Sequence, residues 1–442
     1  MTRIQQRLEQ YFEFAHHRTS WRTELLAGLT TFVTMAYIIF VNPALLAKTG
    51  MDLAAVTAAT CLCAALGSIL MGAVARYPIA LAPGMGLNAY FTYTVCLKMH
   101  IPWQTALGAV FLSGIIFLLL TFGGIRQLLV SAIPQELHAA VAGGVGLFIA
   151  FIGLTDSGII VKDPATAVTL GNLHAPGTAL ALFGILLIAT LQVFRVQASI
   201  LLGIAGTMLT GLLFGQVHWS PTHFRLSDIR ATAFHLDIPA ALHIGAFEII
   251  FVFLFVDLFD NIGTLLAVTG RAGLLPTELD ATGRRRPIPR LSRIFFADAT
   301  ATVVGSLAGT STVTSYIESS AGVAAGGRTG VTSITTGLLF LASLFVAPLV
   351  GAIPTSATAP ALIIVGALML SSIGAIAWSD PLVALPAFLT LITIPLTYSI
   401  ATGLSFGIIS FAALRLFSGR ARRKDWLLYL LATLFLARFA WL

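Results

Sequence analysis

Charge is the scarcest ingredient of this chain. Of 442 residues only 10 % are charged, 57 % are apolar, and the mean hydropathy is +0.93. A soluble domain carries about a quarter charged residues. Nearly charge-free runs long enough to cross a bilayer recur from end to end, which excludes a soluble enzyme and implies a polytopic helical membrane protein. Cysteine is almost absent as well: Cys61, Cys63 and Cys96 are the only three. Cys61 and Cys63 stand two apart on a predicted helix and do not share a face, so neither a metal site nor a disulfide is expected. A removable leader is also not expected. The opening MTRIQQRLEQYFEFAHHRTSWRTE is polar and basic, with no short apolar core before a small-residue cleavage site.

What charge there is sums to +7. Its placement points to membrane topology and away from nucleic acid. With a cytoplasmic N-terminus and fourteen spans, the inner side receives Arg3, Arg7, Arg18, Arg22, Arg76, Arg126, Arg195 and Arg328. It also receives the loop RAGLLPTELDATGRRRPIPRLSR and the tail RLFSGRARRKD. The outer side keeps Lys48, Lys98, Lys162, Arg225 and Arg230. Basic residues thus collect inside, which fixes the orientation. Both termini are expected in the cytoplasm and the protein in the plasma membrane, a bacterial inner membrane.

The expected spans are 24–47, 53–75, 78–96, 103–125, 135–155, 177–194 and 198–216, then 246–270, 292–308, 312–326, 330–350, 356–375, 380–396 and 399–418. The final stretch DWLLYLLATLFLARFAWL is marginal in length and carries Arg438, so it is expected to lie on the cytoplasmic surface. The two sets of seven resemble each other. "FLSGIIFLLLTFGGIRQLLVSAIP" ends in Ala132, Ile133 and Pro134, and "TSITTGLLFLASLFVAPLVGAIP" ends in Ala352, Ile353 and Pro354. An odd number of spans per half places the halves in opposite orientations, the inverted-repeat plan of secondary transporters.

Such folds bind near mid-membrane, between broken helices at matching positions of the two halves. The third span opens "YPIALAPGMGLNAYF", with Pro78, Pro83, Gly84 and Gly86; the tenth is "GTSTVTSYIESSAGVAAGGRTG", which begins at Gly309. Pro and Gly weaken helices, and Thr and Val favour extended backbone. Each reads as an extended segment followed by a half-helix. Irregular backbone survives in lipid only where protein covers it or it lines a cavity.

Four carboxylates stand well inside spans of the second half: Asp257, Asp260, Asp298 and Glu318. An acid at mid-bilayer costs a few kcal/mol and is a functional candidate by default. Low dielectric favours the neutral form of an acid, which makes such a group a ready proton acceptor. Asp260 is followed by Asn261, Gly263 and Thr264, a small polar cluster that lets a ligand approach the backbone. Asp257 reads equally as a bond to a neighbouring helix, and Asp298 as a hydrogen-bond hub with indirect influence on coupling. Glu318 falls at the start of the tenth half-helix, where the helix dipole favours an anion. Asn88 holds the matching place in the first half, and Ser315 lies beside Glu318. Carboxylates accept two N–H groups, and an amide can bond a base edge on both sides. Tyr90, Phe91, Tyr316, Phe255 and Phe259 could stack on a flat ligand or simply pack. These residues suit a small, mostly neutral ligand rich in hydrogen-bond donors.

At "AGLTTFVTMAYIIFVNP", "LAPGMGLNAYF", "DLFDNIGTL" and the Gly309 stretch, the chain resembles the nucleobase–cation symporters of uracil/xanthine-permease fold. It is most similar to their azaguanine-type branch, which carries adenine, guanine and hypoxanthine. The resemblance covers nearly the whole chain. It implies an all-α membrane protein of fourteen segments as a 7+7 inverted repeat, with broken third and tenth spans. A core is implied at 24–125 and 246–350, a gate at 135–216 and 356–418. Around them lie a cytoplasmic arm (1–23), an outer loop (217–245) and a basic tail (419–442). By position the resemblance gives Asp260 and Glu318 the role of base contacts, Asp298 a role in coupling, and Asn88 a role that favours adenine. Thr264 and Ser315 join the binding set, and Asp298, Glu318 and Asp260 the proton-coupling set. Asp257, Asn261, Gly86 and Gly309 are expected to be structural or secondary.

The expected function is therefore import of a purine base driven by the proton gradient, with adenine favoured and no cofactor, through alternating access of core against gate. Assembly as a homodimer through the gate is a further expectation. Three other readings stand beside it. An anion permease of the same architecture is disfavoured by two acids in its site. A membrane-embedded transferase holding magnesium at Asp257 and Asp260 would want a second aspartate-rich motif. A binder that does not transport is the third.

Overall fold

A computed structural model describes residues 3–122, 135–217, 226–243, 247–274, 288–422 and 425–441. Arg126, Ala132, Ile133, Pro134 and Arg225, most of the basic inner loop and the side chain of Phe259 lie outside the described residues. A short arm, α1 (Arg3–Tyr11) and α2 (Phe14–His17), leads into α3 (Trp21–Met35) and α4 (Ile38–Leu46). Next come α5 (Leu53–Leu70), the strand β1 (Leu81–Pro83), α6 (Met85–Ala89) running on as a π-helical stretch Tyr90–Lys98, and α7 (Trp103–Phe122). Then follow α8 (Gln135–Asp156), a hairpin of β2 (Ile160–Asp163) and β3 (Ala167–Leu170), α9 (Pro176–Val193), α10 (Ser199–Leu213) and α11 (Ile238–His243). The second half holds α12 (Phe247–Ala272), α13 (Leu291–Ala308), β4 (Val313–Ser315), α14 (Ser319–Ala324) and α15 (Gly330–Ala342). It ends with α16 (Thr355–Met369), α17 (Pro381–Thr397), α18 (Ile400–Phe417) and α19 (Trp426–Trp441).

Ten helical stretches among the described residues are long and apolar enough to cross a membrane. Their starts are set by local chemistry. The side chains of Ser20, Asp52, Thr329, Asp380 and Ser399 each accept a hydrogen bond from a backbone N–H of the first turn of α3, α5, α15, α17 and α18. Such caps satisfy donors that no helix can bond internally. Glu24 extends the pattern across the fold. Fully buried in α3, it accepts from the backbone N–H groups of Arg328 and Thr329 and from the Thr332 hydroxyl at 2.6 Å, which fixes the start of α15.

The helices pack as two sets. In one, α15 lies against α3 and α5, and α7 against α12 and α13; in the other, α8 lies along α16 and α17, α17 along α18, and α9 along α10. Within the first set β1 and β4 pair antiparallel, Leu81 opposite Ser315 and Pro83 opposite Val313. Both strands are fully buried.

The last helix packs along α18, with a ring contact to α12. Asp425 pairs with Arg415 near the end of α18. At its other end Arg438 pairs with Glu248, in the first turn of α12, at 2.5 Å and donates to Ser405 at 3.1 Å. The Phe435 ring meets Phe251 and Phe439 meets Phe406. One face of α19 is apolar and buried through Leu428, Leu431 and Phe435.

Gly309 closes α13 at φ 94, and a Cβ there would stand 2.3 Å from the Thr232 side chain. Gly309→Ala is expected to cost about 1–3 kcal/mol through left-handed strain, aside from the clash. A lowered melting temperature of the detergent-purified protein checks this; unchanged melting would contradict the packing described.

Candidate functional site

The site begins with backbone. Two short strands sit inside an apolar protein, so each N–H and C=O needs a partner supplied by protein. Side chains of the surrounding helices supply many of them. Ser68 of α5 accepts from the Leu81 N–H and donates to the Leu81 carbonyl. In the other half, Thr302 of α13 donates to the Val313 carbonyl at 2.8 Å. Ser319 accepts from the Ala80 N–H, and Ser333 of α15 donates toward the Tyr77 and Ile79 carbonyls. At the two ends of the strand pair, Gly84 N–H bonds the Thr312 carbonyl and Tyr316 N–H the Ala80 carbonyl.

Asparagines complete the frame. Asn261 of α12 donates to Asp257 at 3.1 Å and to Asp298 at 2.5 Å, and accepts from the Ser315 N–H at 3.1 Å. It therefore ties α12, α13 and β4 together. Asn42 of α4 acts likewise in the first half: it donates to Thr60 of α5 and to Thr310, and accepts from Asn88 at 2.5 Å. Each amide joins its own helix to a neighbouring helix and to a stretch beside the strand pair.

On this frame stand Asp260 and Glu318. Asp260 lies beside Thr314 of β4 and within electrostatic reach of Glu318. Glu318 immediately precedes α14, and its Oε1 accepts a 2.7 Å bond from the Tyr37 hydroxyl. A cavity reaches Asp260 between the two helix sets. Gly86 and Val256 line it on one side with Asp260, and His138, Val145 and Met369 on the other. Gly86 is where the sets come closest: a Cβ there would stand 2.4 Å from a Val145 methyl. One turn beyond Asp260, Gly263 has open space where a Cβ would be.

The structure thus brings Asp260, Glu318, Ser315, Asn261, Asp257 and Asp298 into one neighbourhood. Thr264 is buried on α12. Asn88 is fully buried and directed at Asn42, and it does not line the cavity. The aromatic candidates pack: Tyr90 and Phe91 against Phe253, and Phe255 stacked on Phe251 at 4.2 Å, while the Tyr316 hydroxyl bonds the Pro83 carbonyl at 2.5 Å. Sequence reasoning missed Tyr37, Asn42, Glu24 and His138. The signal for Tyr37 and Asn42 was present, since both are polar groups in the apolar run "TMAYIIFVNP". His138 carried none, because its place against the cavity depends on tertiary packing.

The profile of a family described as the permease family matches residues 22–406. The guanine/hypoxanthine permease PbuG of Bacillus subtilis is 44 % identical over 98 % of this chain and 100 % of its own. The adenine permease AdeP of Escherichia coli is 42 % identical over 98 % of this chain and 95 % of its own. Among solved structures, the transmembrane domain of the cyanobacterium bicarbonate transporter BicA is similar with a TM-score of 0.63, at 14 % identity over 86 % of this chain and 97 % of that one. That likeness concerns the fold.

Asn261→Ala would remove one amide from three partners. Each buried group left without a bond costs about 1–3 kcal/mol, so a clear fall in melting temperature is expected. Thermal unfolding in detergent measures it, and a variant as stable as the parent would contradict the bridging role.

Proposed function

The chain belongs to the permease family, a family of membrane carriers and not of enzymes, and we propose that this protein imports purine nucleobases. The observation that supports the reading is a cavity that reaches Asp260 beside the paired strands, with Glu318 following β4 at the start of α14. Purine bases present N–H donors along a flat edge, and carboxylates are acceptors with two oxygens each. A base held by both acids would leave the backbone near Ser315 to complete the contact. Relatives named for guanine and hypoxanthine and for adenine stand at 44 % and 42 % identity. Adenine remains our first choice. Because Asn88 braces Asn42, its influence on that choice would be indirect.

We read the two helix sets as the core and the gate of a fourteen-span inverted repeat, with the third and tenth spans broken at β1 and β4. The core would carry the base past the gate in alternating access, and the gate would form the homodimer contact. We read Asp260 or Glu318 as the carrier of the proton that would accompany the base. Asp298, joined to the site through Asn261, would adjust that coupling. The basic arm supports a cytoplasmic N-terminus. The end of α19 beside Glu248 would then stand on the outer side, a departure from the expectation of two cytoplasmic termini.

An anion permease is the second reading that fold likeness raises. Asp260 at the cavity disfavours an anion there, and likeness at 14 % identity speaks for architecture only. The test is uptake of labelled adenine, hypoxanthine and guanine into proteoliposomes, with and without a pH gradient. Uptake of at least one base, raised when the outside is more acid, is the expected result; uptake of none would overturn the reading. Glu318→Gln is expected to lose the response to the pH gradient. Full proton-driven uptake in that variant would remove Glu318 from the mechanism.

A further inference from the structure

One cluster of charged side chains joins the two helix sets far from the acids of the site. Lys48 follows α4, Tyr93 lies in the π-helical stretch after α6, and Asp156 is the last residue of α8. Lys48 Nζ stands 2.5 Å from Asp156 Oδ2 and donates to the Tyr93 hydroxyl at 2.6 Å. That hydroxyl in turn donates to Asp156 at 3.1 Å. Beside it, Thr94 bonds the Tyr398 carbonyl at 2.5 Å and Lys98 the Thr397 carbonyl at 2.7 Å. The Tyr398 ring closes the group against Phe148 and Phe151 of α8. Lys48, Tyr93, Thr94 and Lys98 belong to the first helix set; Asp156, Thr397 and Tyr398 belong to the second.

The position of this cluster is opposite to that of the cavity. Asp156 ends α8, whereas His138, which lines the cavity, stands in its first turn. Eighteen residues separate the two, about 27 Å of helix. The cavity wall reaches as far as Val145, which meets Gly86 in apolar contact, and from there to Asp156 is still about 16 Å of helix. A carrier that works by alternating access must be closed at one end while it is open at the other.

We propose that Lys48, Tyr93 and Asp156 form the outer gate of the carrier, which seals the site on one face while the cavity opens on the other. This rests on the transporter reading above. The chemistry suits a contact that must open repeatedly. The side chains of Lys48 and Asp156 are 30 % and 15 % exposed, so water replaces the partner of each as they separate. An ion pair that water can reach has a small net strength, because hydration offsets what the contact gains. An apolar seal of equal area would gain more from staying closed.

The test combines Lys48→Cys and Asp156→Cys in a chain whose Cys61, Cys63 and Cys96 are alanine, reconstituted in proteoliposomes. Bridging the pair with a reducible bifunctional thiol reagent is expected to lower adenine uptake several-fold, with recovery on reduction. Uptake unaffected by the bridge would overturn the gate. A second readout does not depend on the cargo. Val256→Cys, on the cavity wall, is labelled from outside by a membrane-impermeant thiol reagent, with and without Lys48→Met. Several-fold faster labelling in the Lys48→Met background is expected, and equal labelling would overturn the proposal. A parent protein that carries none of the three bases while its labelling still responds to Lys48→Met would count against the purine reading and leave the gate standing.

Discussion

Everything in this fold depends on a backbone that must find hydrogen-bond partners where there is no water. Helices meet that demand internally, but β1 and β4 cannot, and each three-residue strand has only one neighbour. The remaining groups, and those of the segment leading into β1, are answered by Ser68, Asn261, Thr302, Ser319 and Ser333 from five different segments. An unsatisfied polar group in such surroundings costs several kcal/mol. The serines, threonines and amides around the strand pair are therefore a consequence of its unpaired backbone, and they in turn fix α5, α12, α13 and α15 around it.

That rigidity is what gives two acids a defined place. Asn261 holds Asp257, Asp298 and β4 from one side chain, so Asp260, on the same helix, is positioned relative to the strand that leads to Glu318. Tyr37 reaches Glu318 from the opposite half of the chain. The second helix set contributes apolar and small surface at the cavity, with His138 as its titratable group there. The charged cluster at Lys48 and the tail helix at Arg438 are places where polar bonds span the two sets.

Much of this was legible in the sequence for one reason: polar residues in apolar runs are rare enough to be informative. "GTSTVTSYIESSAGVAAGGRTG" and "LAPGMGLNAYF" announced extended backbone by their Thr, Val, Pro and Gly, and the strands lie within them. Asp260 and Glu318 stood out as acids in lipid-spanning segments. What could not be read was which polar group meets which. Asn88 looked like a ligand contact because of its register with the tenth span, yet its amide meets Asn42, a partner 46 positions away in the chain. Lys48 and Asp156 were individually unremarkable at the ends of spans; only the approach of the two helix sets makes them a pair. The length of the tail and its Arg438 suit an interfacial helix, and the ion-pair partner of Arg438, Glu248, is 190 residues earlier.

The central claim is that Asp260 and Glu318 together hold the base. Equilibrium binding of adenine, hypoxanthine and guanine to the purified protein, compared with Asp260→Asn, tests it most directly. The account predicts saturable binding of at least one base by the parent and affinity weaker by about tenfold or more in the variant, a difference of about 1.4 kcal/mol or greater. Equal affinity in the two proteins would contradict it.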